Sequence, residues 1–202
     1  MMILRTAPAS PFGRKVRLAA SLLGLESDIA IERADPMQPA DSLRRQNPLG
    51  KIPVLILEDG TTLFDSRVIV EYLDHRAGGG RIIPAHPAAR FASLTLQALC
   101  DGLMDASILQ VYEGRWRGAD RHEPKWLDHQ AGKVARALSR LEAAPPDFDG
   151  MPQIGHIALA CALGYRDLRF GGDWRADHPR LVSWLDAFAA RVPAFGATRV
   201  PA

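Results

Sequence analysis

Hydrophobic and polar positions along the chain divide it into two unlike halves. Residues 2–5 form a short apolar run that reads as an opening buried strand. Ser10-Pro11 then marks a helix start, with serine at the N-cap and proline at the first helical position. Val16, Leu18, Ala19, Leu22 and Leu23 give that helix an apolar face, and Gly24 ends it. Residues 28–33 alternate polar and apolar, as a half-buried strand does. The polar stretch 42–46 fits a short helix or a loop. Residues 54–57 and 62–64 flank Glu58-Asp59-Gly60, a hairpin signal, and 65–76 are helical again. This order predicts a thioredoxin-like α/β domain over residues 1–77. Gly78-Gly79-Gly80, Pro84 and Pro87 predict a linker over 78–87. Beyond it, helical periodicity at 88–117, 123–144, 154–169 and 179–192 predicts an all-α domain over 88–202. Its breaks fall at Gly118, Pro145-Pro146, Gly171-Gly172 and Pro193.

Composition narrows the classes of function. A hydrophobic share of 47% with 24% charged residues is that of an ordinary soluble globular protein. A net charge of +2 provides no strong field for nucleic acid or anionic lipid. The longest apolar run, 157–163, is far short of a membrane span, and residues 1–4 are too few for a signal-peptide core. Cys100 and Cys161 sit in helical patterns outside any Cys-x-x-Cys pair, which predicts reduced core residues in a cytoplasmic protein. The glycine triplet lacks the Lys-Ser/Thr of a phosphate loop. No histidine pairs with an acid or cysteine at metal-ligand spacing; His122 and His129, seven apart, read as a solvated face, and no metal is implied.

The candidate chemistry lies in two neighbouring stretches. Asn47-Pro48-Leu49-Gly50 is a turn leading into a strand through Lys51-Ile52-Pro53. Proline gives no N–H to a sheet ladder and is the residue for which a cis bond costs least. A cis Ile52–Pro53 bond would turn the Ile52 N–H and C=O outward, where an extended peptide could pair with them. About a dozen residues on, Asp65-Ser66 opens a helix and brings a carboxylate, a hydroxyl and free N–H groups beside that strand. Together they suit a small peptide carrying a carboxylate.

With Ser10-Pro11-Phe12-Gly13-Arg14-Lys15-Val16-Arg17, Asn47 through Leu55, Asp65 through Leu73 and Ile157 through Tyr165, the layout resembles the cytosolic glutathione transferases over nearly its full length. The resemblance implies the glutathione transferase fold, glutathione as co-substrate, a small electrophile as second substrate, and a homodimer. It implies that Ser10 contacts the glutathione sulfur and favours thiolate over thiol; serine there, rather than cysteine, implies conjugation chemistry. It places glutathione on Ser10, Phe12, Lys51, Ile52, Pro53, Asp65 and Ser66. Ser66 and its N–H would take the γ-glutamyl carboxylate, Asp65 the ammonium, the Ile52 backbone the cysteinyl part, and Lys51 the glycine carboxylate. An acid at the position of Asp101 reaches the glutathione ammonium across a dimer in several branches. Tyr112, Arg115 and Trp116 are the candidates for the second-substrate pocket.

Each residue also has a structural reading: Ser10 and Asp65 as helix caps, Lys51 as a solvated turn residue, Asp101 as an intrahelical group, and 112–117 as an amphipathic face. At the level of the whole chain, the rivals are an interaction protein that keeps the fold without catalysis, like the family's stringent-starvation branch, and a glutathione-dependent isomerase or dehalogenase. One departure stands out. Family members begin the late buried helix with Ser or Thr and place Asp three residues on; here Gln153 and His156 occupy those positions, which predicts a weaker cap unless His156 has another partner.

Overall fold

In the computed structural model, which describes residues 1–147 and 149–200, the first half is a four-stranded mixed sheet with helices packed on it. The strands are β1 (Met2–Thr6), β2 (Ile29–Arg33), β3 (Val54–Ile56) and β4 (Thr62–Leu63), in spatial order β2-β1-β3-β4. β1 runs parallel to β2, with Leu4 opposite Ile31, and antiparallel to β3, with Leu4 opposite Leu55. β3 and β4 form the expected antiparallel hairpin. β1 is interior and buries Met2 and Leu4 on one face, while β2 at the edge leaves Ile31 exposed.

The helix α1 (Pro11–Leu23) starts and stops where its sequence says. Ser10 Oγ accepts from the Gly13 N–H, Pro11 takes the first helical position, and Gly24 ends the helix at φ 75°. That left-handed conformation carries a steric cost for every residue with a Cβ, which is why glycine stands there. Val16, Leu18, Ala19 and Leu23 bury the inner face of α1. The short α2 (Leu43–Gln46) settles the stretch left open between helix and loop, and α3 (Ser66–Arg76) follows β4.

Residues 78–83 are pinned rather than loose. The buried Asp74 carboxylate accepts from the N–H groups of Gly80, Arg81 and Ile82 at 2.8–3.0 Å, and Ile82 and Ile83 enter the core. The Ile82 carbonyl then accepts from the Ile154 N–H, joining this connection to the later helices.

Those helices are α4 (Pro87–Trp116), α5 (Pro124–Ala143), α6 (Ile154–Phe170), α7 (Pro179–Arg191) and α8 (Pro193–Ala197). Residues 148, 201 and 202 of the expected helical segment lie outside the described residues. Pro193, expected only as a break, also opens a short helix as its first residue. α6 is buried along its first ten residues, so hydrophobic burial holds it: Ile157, Leu159 and Leu163 each contribute about 1.5–3 kcal/mol. Gly155 is what lets it approach α4. A Cβ at that position would lie 2.8 Å from the Ser93 carbonyl and 2.8 Å from Leu96 Cδ2. A residue that weakens an isolated helix is here a condition of close packing.

Candidate functional site

β1 delivers the chain to the start of α1, and glycine allows the approach. A Cβ at Gly13 would overlap Thr6 Oγ1, so only glycine lets the first turn of α1 lie against the end of β1. Ser10 sits at that junction. Its Oγ accepts from the Gly13 N–H at 3.1 Å, which engages a lone pair and leaves the hydroxyl proton available for donation. The cap and a ligand contact are therefore compatible uses of one hydroxyl. Pro11 has no N–H, and the Phe12 N–H has no partner among the described residues, so the positive end of α1 keeps an unused donor.

The loop before β3 is held by a buried amide. Asn47 Oδ1 accepts from the Leu49 N–H at 3.0 Å, and Asn47 Nδ2 donates to the Lys51 carbonyl at 2.9 Å. The Ile52–Pro53 bond is cis, as expected. Neither the N–H nor the C=O of Ile52 is hydrogen-bonded to a described residue, so a short backbone edge remains for an extended peptide. Lys51 is exposed beside it.

Asp65 caps α3: its Oδ1 accepts from the Arg67 N–H at 2.9 Å. Ser66, buried at the first helical position, follows it. The residue after, Arg67, makes a connection that its sequence position does not announce. Its Nε donates to Asp101 Oδ2 at 2.9 Å, while Lys15 Nζ donates to Asp101 Oδ1 at 2.7 Å. Lys15 and Asp101 are both 0% exposed. Asp101, expected to turn outward to the glutathione ammonium, instead faces into its own chain with both oxygens engaged. It ties α4 to α1, which carries Ser10, and to α3, which carries Asp65 and Ser66. One turn further along α4, Asp105 is exposed. Desolvation pushes its carboxyl above the usual range and Asp101 adds to this, while Arg67 and Lys51 oppose. Those neighbours put an available carboxylate near Lys51 and Asp65, and sequence reasoning missed it.

A cavity of about 660 Å³ opens beside Ser10, between the start of α1, the inner turns of α6, α7 and the C-terminal segment. Ser10, Arg14, Gly164, Tyr165, Phe195 and Arg199 are among its walls. Tyr112, Arg115 and Trp116 do not line it. Tyr112 is half-buried under the Arg115 guanidinium, 4.9 Å from its ring centroid, and Trp116 is exposed. Tyr165 links the two regions. Burial raises its phenol pKa, Arg169 opposes, and Tyr112 and Arg115 are close enough to act on it. The cysteines are not reactive groups: burial pushes Cys161 up to about 12 and raises Cys100 further. Among the described residues, no group of three or more His, Cys, Asp or Glu side chains is placed to hold a metal, and no helix is long and apolar enough to cross a membrane. His122 precedes α5 and lies against the Arg117 carbonyl, whereas His129 stacks on Trp126; the two share no face.

At the start of α6 the expectation of a weak cap is corrected. His156 Nδ1 accepts from the Gln153 N–H at 3.0 Å, and the imidazole also bonds the Asp147 backbone. Burial lowers its pKa, with the Asp147 bond opposing. A neutral imidazole thus does what an acid does in the reciprocal cap.

Comparison with known proteins follows the same outline. Residues 9–76 match the family model for the glutathione S-transferase N-terminal domain, and residues 124–187 match that for the C-terminal domain. The chain is 33% identical over 198 residues to the uncharacterized GST-like protein YibF of Escherichia coli K12, covering 95% of each. It is 29% identical over 204 residues to a maleylacetoacetate isomerase of Pseudomonas aeruginosa, covering 96% of this chain and 93% of that one. A glutathione transferase family member from Pseudomonas fluorescens Pf-5 is 41% identical over the whole of both chains. Its structure with bound glutathione superposes with a TM-score of 0.91, and its complex with S-(propanoic acid)-glutathione with 0.87. An α/β sheet domain whose third strand follows a cis proline, the helical half packed against it and both domain matches together place this chain in the glutathione S-transferase family.

Proposed function

We propose that the chain is a glutathione transferase that binds glutathione at the sheet end of α1 and α3, lowers its thiol pKa and adds the thiolate to a small electrophile. The observation that carries this is the unfinished start of α1: Ser10 keeps a hydroxyl proton and Phe12 an N–H, both at a positive helix end that faces a cavity. A sulfur anion held there receives the hydroxyl hydrogen bond and the field of the helix, and both favour thiolate over thiol. The Ile52 edge pairs with the cysteinyl part beside Pro53. Ser66 and its N–H take the γ-glutamyl carboxylate, Asp65 accepts from the ammonium, and Lys51 meets the glycine carboxylate. Asp101 acts through Lys15 and Arg67, keeping the two ligand-binding helix starts in register. The bound thiol gives its proton to solvent, the sulfur attacks the electrophilic carbon, and the protein's contribution is charge stabilisation and alignment. The Pseudomonas fluorescens relative, whose structures hold glutathione and a conjugate with an acid on sulfur, supports the same ligand here. Exposed Val68 on α3 and Phe91 on α4 support a homodimer in which these helices meet a second copy, and the two free, buried cysteines suit the cytoplasm.

Calorimetric titration with glutathione, paired with turnover of 1-chloro-2,4-dinitrobenzene, tests the reading. Saturable binding with measurable conjugation is expected. Binding without turnover of any electrophile, or no binding at all, would instead favour the non-catalytic interaction protein.

A further inference from the structure

Among the described residues, the cavity beside Ser10 holds more positive charge than its carboxylates answer. Arg14 lies four residues after Ser10, in the first turn of α1, and both line the cavity. Its Nε donates to Thr198 Oγ1 at 3.1 Å and its Nη2 to the Phe195 carbonyl at 2.5 Å, and the guanidinium stacks 4.0 Å from the Phe195 ring centroid. All three partners are neutral. Among the described residues, no carboxylate lies within 4.0 Å of this guanidinium, and none pairs with Arg199 on the same wall. Two carboxylates of the described residues do line the cavity. Asp167 is held by Arg175 through both oxygens and also accepts from Trp174 Nε1; Asp186 lies on the Arg175 side. The imbalance is therefore local to Arg14 and Arg199. Burial lowers the Arg14 pKa, and the nearby Arg199 and Arg17 add to that; Cys161 and Asp167 act the other way, but the Cys161 thiol is protonated at neutral pH and is no counter-ion. Gly164 makes the room: a Cβ there would lie 2.5 Å from Arg14 Nη1.

We propose that this cavity selects electrophiles that carry a carboxylate, with the acid group held by Arg14 and Arg199 while the reactive carbon faces the sulfur at Ser10. The inference rests on the glutathione transferase reading and names the substrate class of that site. A planar guanidinium is the side chain best suited to a carboxylate, because it offers parallel donors together with charge. The fitting reaction is addition to a carbon–carbon double bond conjugated to the acid. The thiolate forms the S–C bond, the π pair moves to the carbon next to the carboxylate, and that carbon takes a proton from solvent. Nothing leaves and nothing is oxidised. Negative charge on the carboxylate grows during the attack, where a desolvated guanidinium stabilises it most.

A binding experiment separates this from the simpler role of Arg14 as a clasp on the C-terminal segment. Glutathione, S-(2-carboxyethyl)glutathione and its equal-length amide, S-(2-carbamoylethyl)glutathione, are titrated calorimetrically into the parent, Arg14→Gln and Arg199→Gln. A hydrogen-bonded carboxylate should bind the parent at least about tenfold tighter than the amide. That ratio should fall towards one in Arg14→Gln and drop several-fold in Arg199→Gln; a clasp alone would shift all three ligands together. Equal affinities for acid and amide in the parent, or a ratio that survives both substitutions, overturns the proposal. If Arg14→Gln does not fold, the parent ratio and the exposed Arg199 decide. Failure of plain glutathione to bind removes the underlying reading as well, and is seen separately from the ratio.

Discussion

Two helices in this molecule begin in opposite ways. At the start of α6, the Gln153 N–H goes to His156 Nδ1, the imidazole reaches the Asp147 backbone, and the whole turn is buried between α4 and Trp184. At the start of α1, Ser10 caps with a lone pair only, the Phe12 N–H has no partner among the described residues, and a cavity opens alongside. Helix ends carry unsatisfied donors by construction, so an end that closes them internally is part of the scaffold. An end that keeps them, on a helix fixed firmly from behind, is prepared for a ligand. For α1 that fixing comes from its buried apolar face and from the link through Lys15, Asp101 and Arg67, with the Ser10 cap beside them.

The largest expected effect tests that fixing. Asp101→Leu strands Lys15 as a buried unpaired charge and should cost about 3–5 kcal/mol, read from urea denaturation. Lys15→Met with Asp101→Leu should recover most of the loss, because an apolar pair replaces an ionic one. A loss below about 1 kcal/mol in the single variant would mean that α1 is held some other way.

Ser66→Ala probes the second open helix start. It should weaken glutathione binding by about 1–2 kcal/mol, the loss of a hydrogen bond to a charged group. Wild-type affinity in calorimetry would contradict the assignment of Ser66.

The closed cap predicts a pH signature. The folded-state pKa of His156 is lowered, chiefly by burial, while in the unfolded chain it sits near the ordinary value of about 6.5. Above that pH both states are neutral and the contribution to stability is complete. As pH falls below it, the unfolded state takes up the proton first, so stability drops by at most about 1.4 kcal/mol per pH unit until the folded pKa is reached. Denaturation midpoints should show this fall, and His156→Gln should flatten it. The same slope in both proteins would assign it to other groups. The smallest effect belongs to Gln153→Ser with His156→Asp, which should gain less than about 0.5 kcal/mol because the site is already satisfied. A gain above 1 kcal/mol would show that the His156 cap is the weak one its sequence suggested.

Much of this was legible in the chain. Ser10-Pro11 and Gly24 mark the ends of α1, Glu58-Asp59-Gly60 marks the hairpin, and Asn47 to Pro53 marks the peptide edge, because caps and turns are local chemistry. What was not legible is long-range. Asp101 pairs with residues 86 and 34 positions away, and nothing in Asp101-Gly102-Leu103 says it will be buried between two cations. Gly155 read as a weak helix residue because its contact, the Ser93 carbonyl, lies on another helix. The Arg14 imbalance was hidden for the same reason, since it depends on which carboxylates the fold keeps at a distance.

The ionisation of bound glutathione reports most directly on what Ser10 does. The ultraviolet thiolate band should be titrated with glutathione saturating the parent and Ser10→Ala. The parent should show the thiol pKa lowered by about two units from that of free glutathione, with much of the shift lost when the hydroxyl is removed. An identical titration in the two proteins would take Ser10 out of the chemistry and leave it a helix cap like the one at α6.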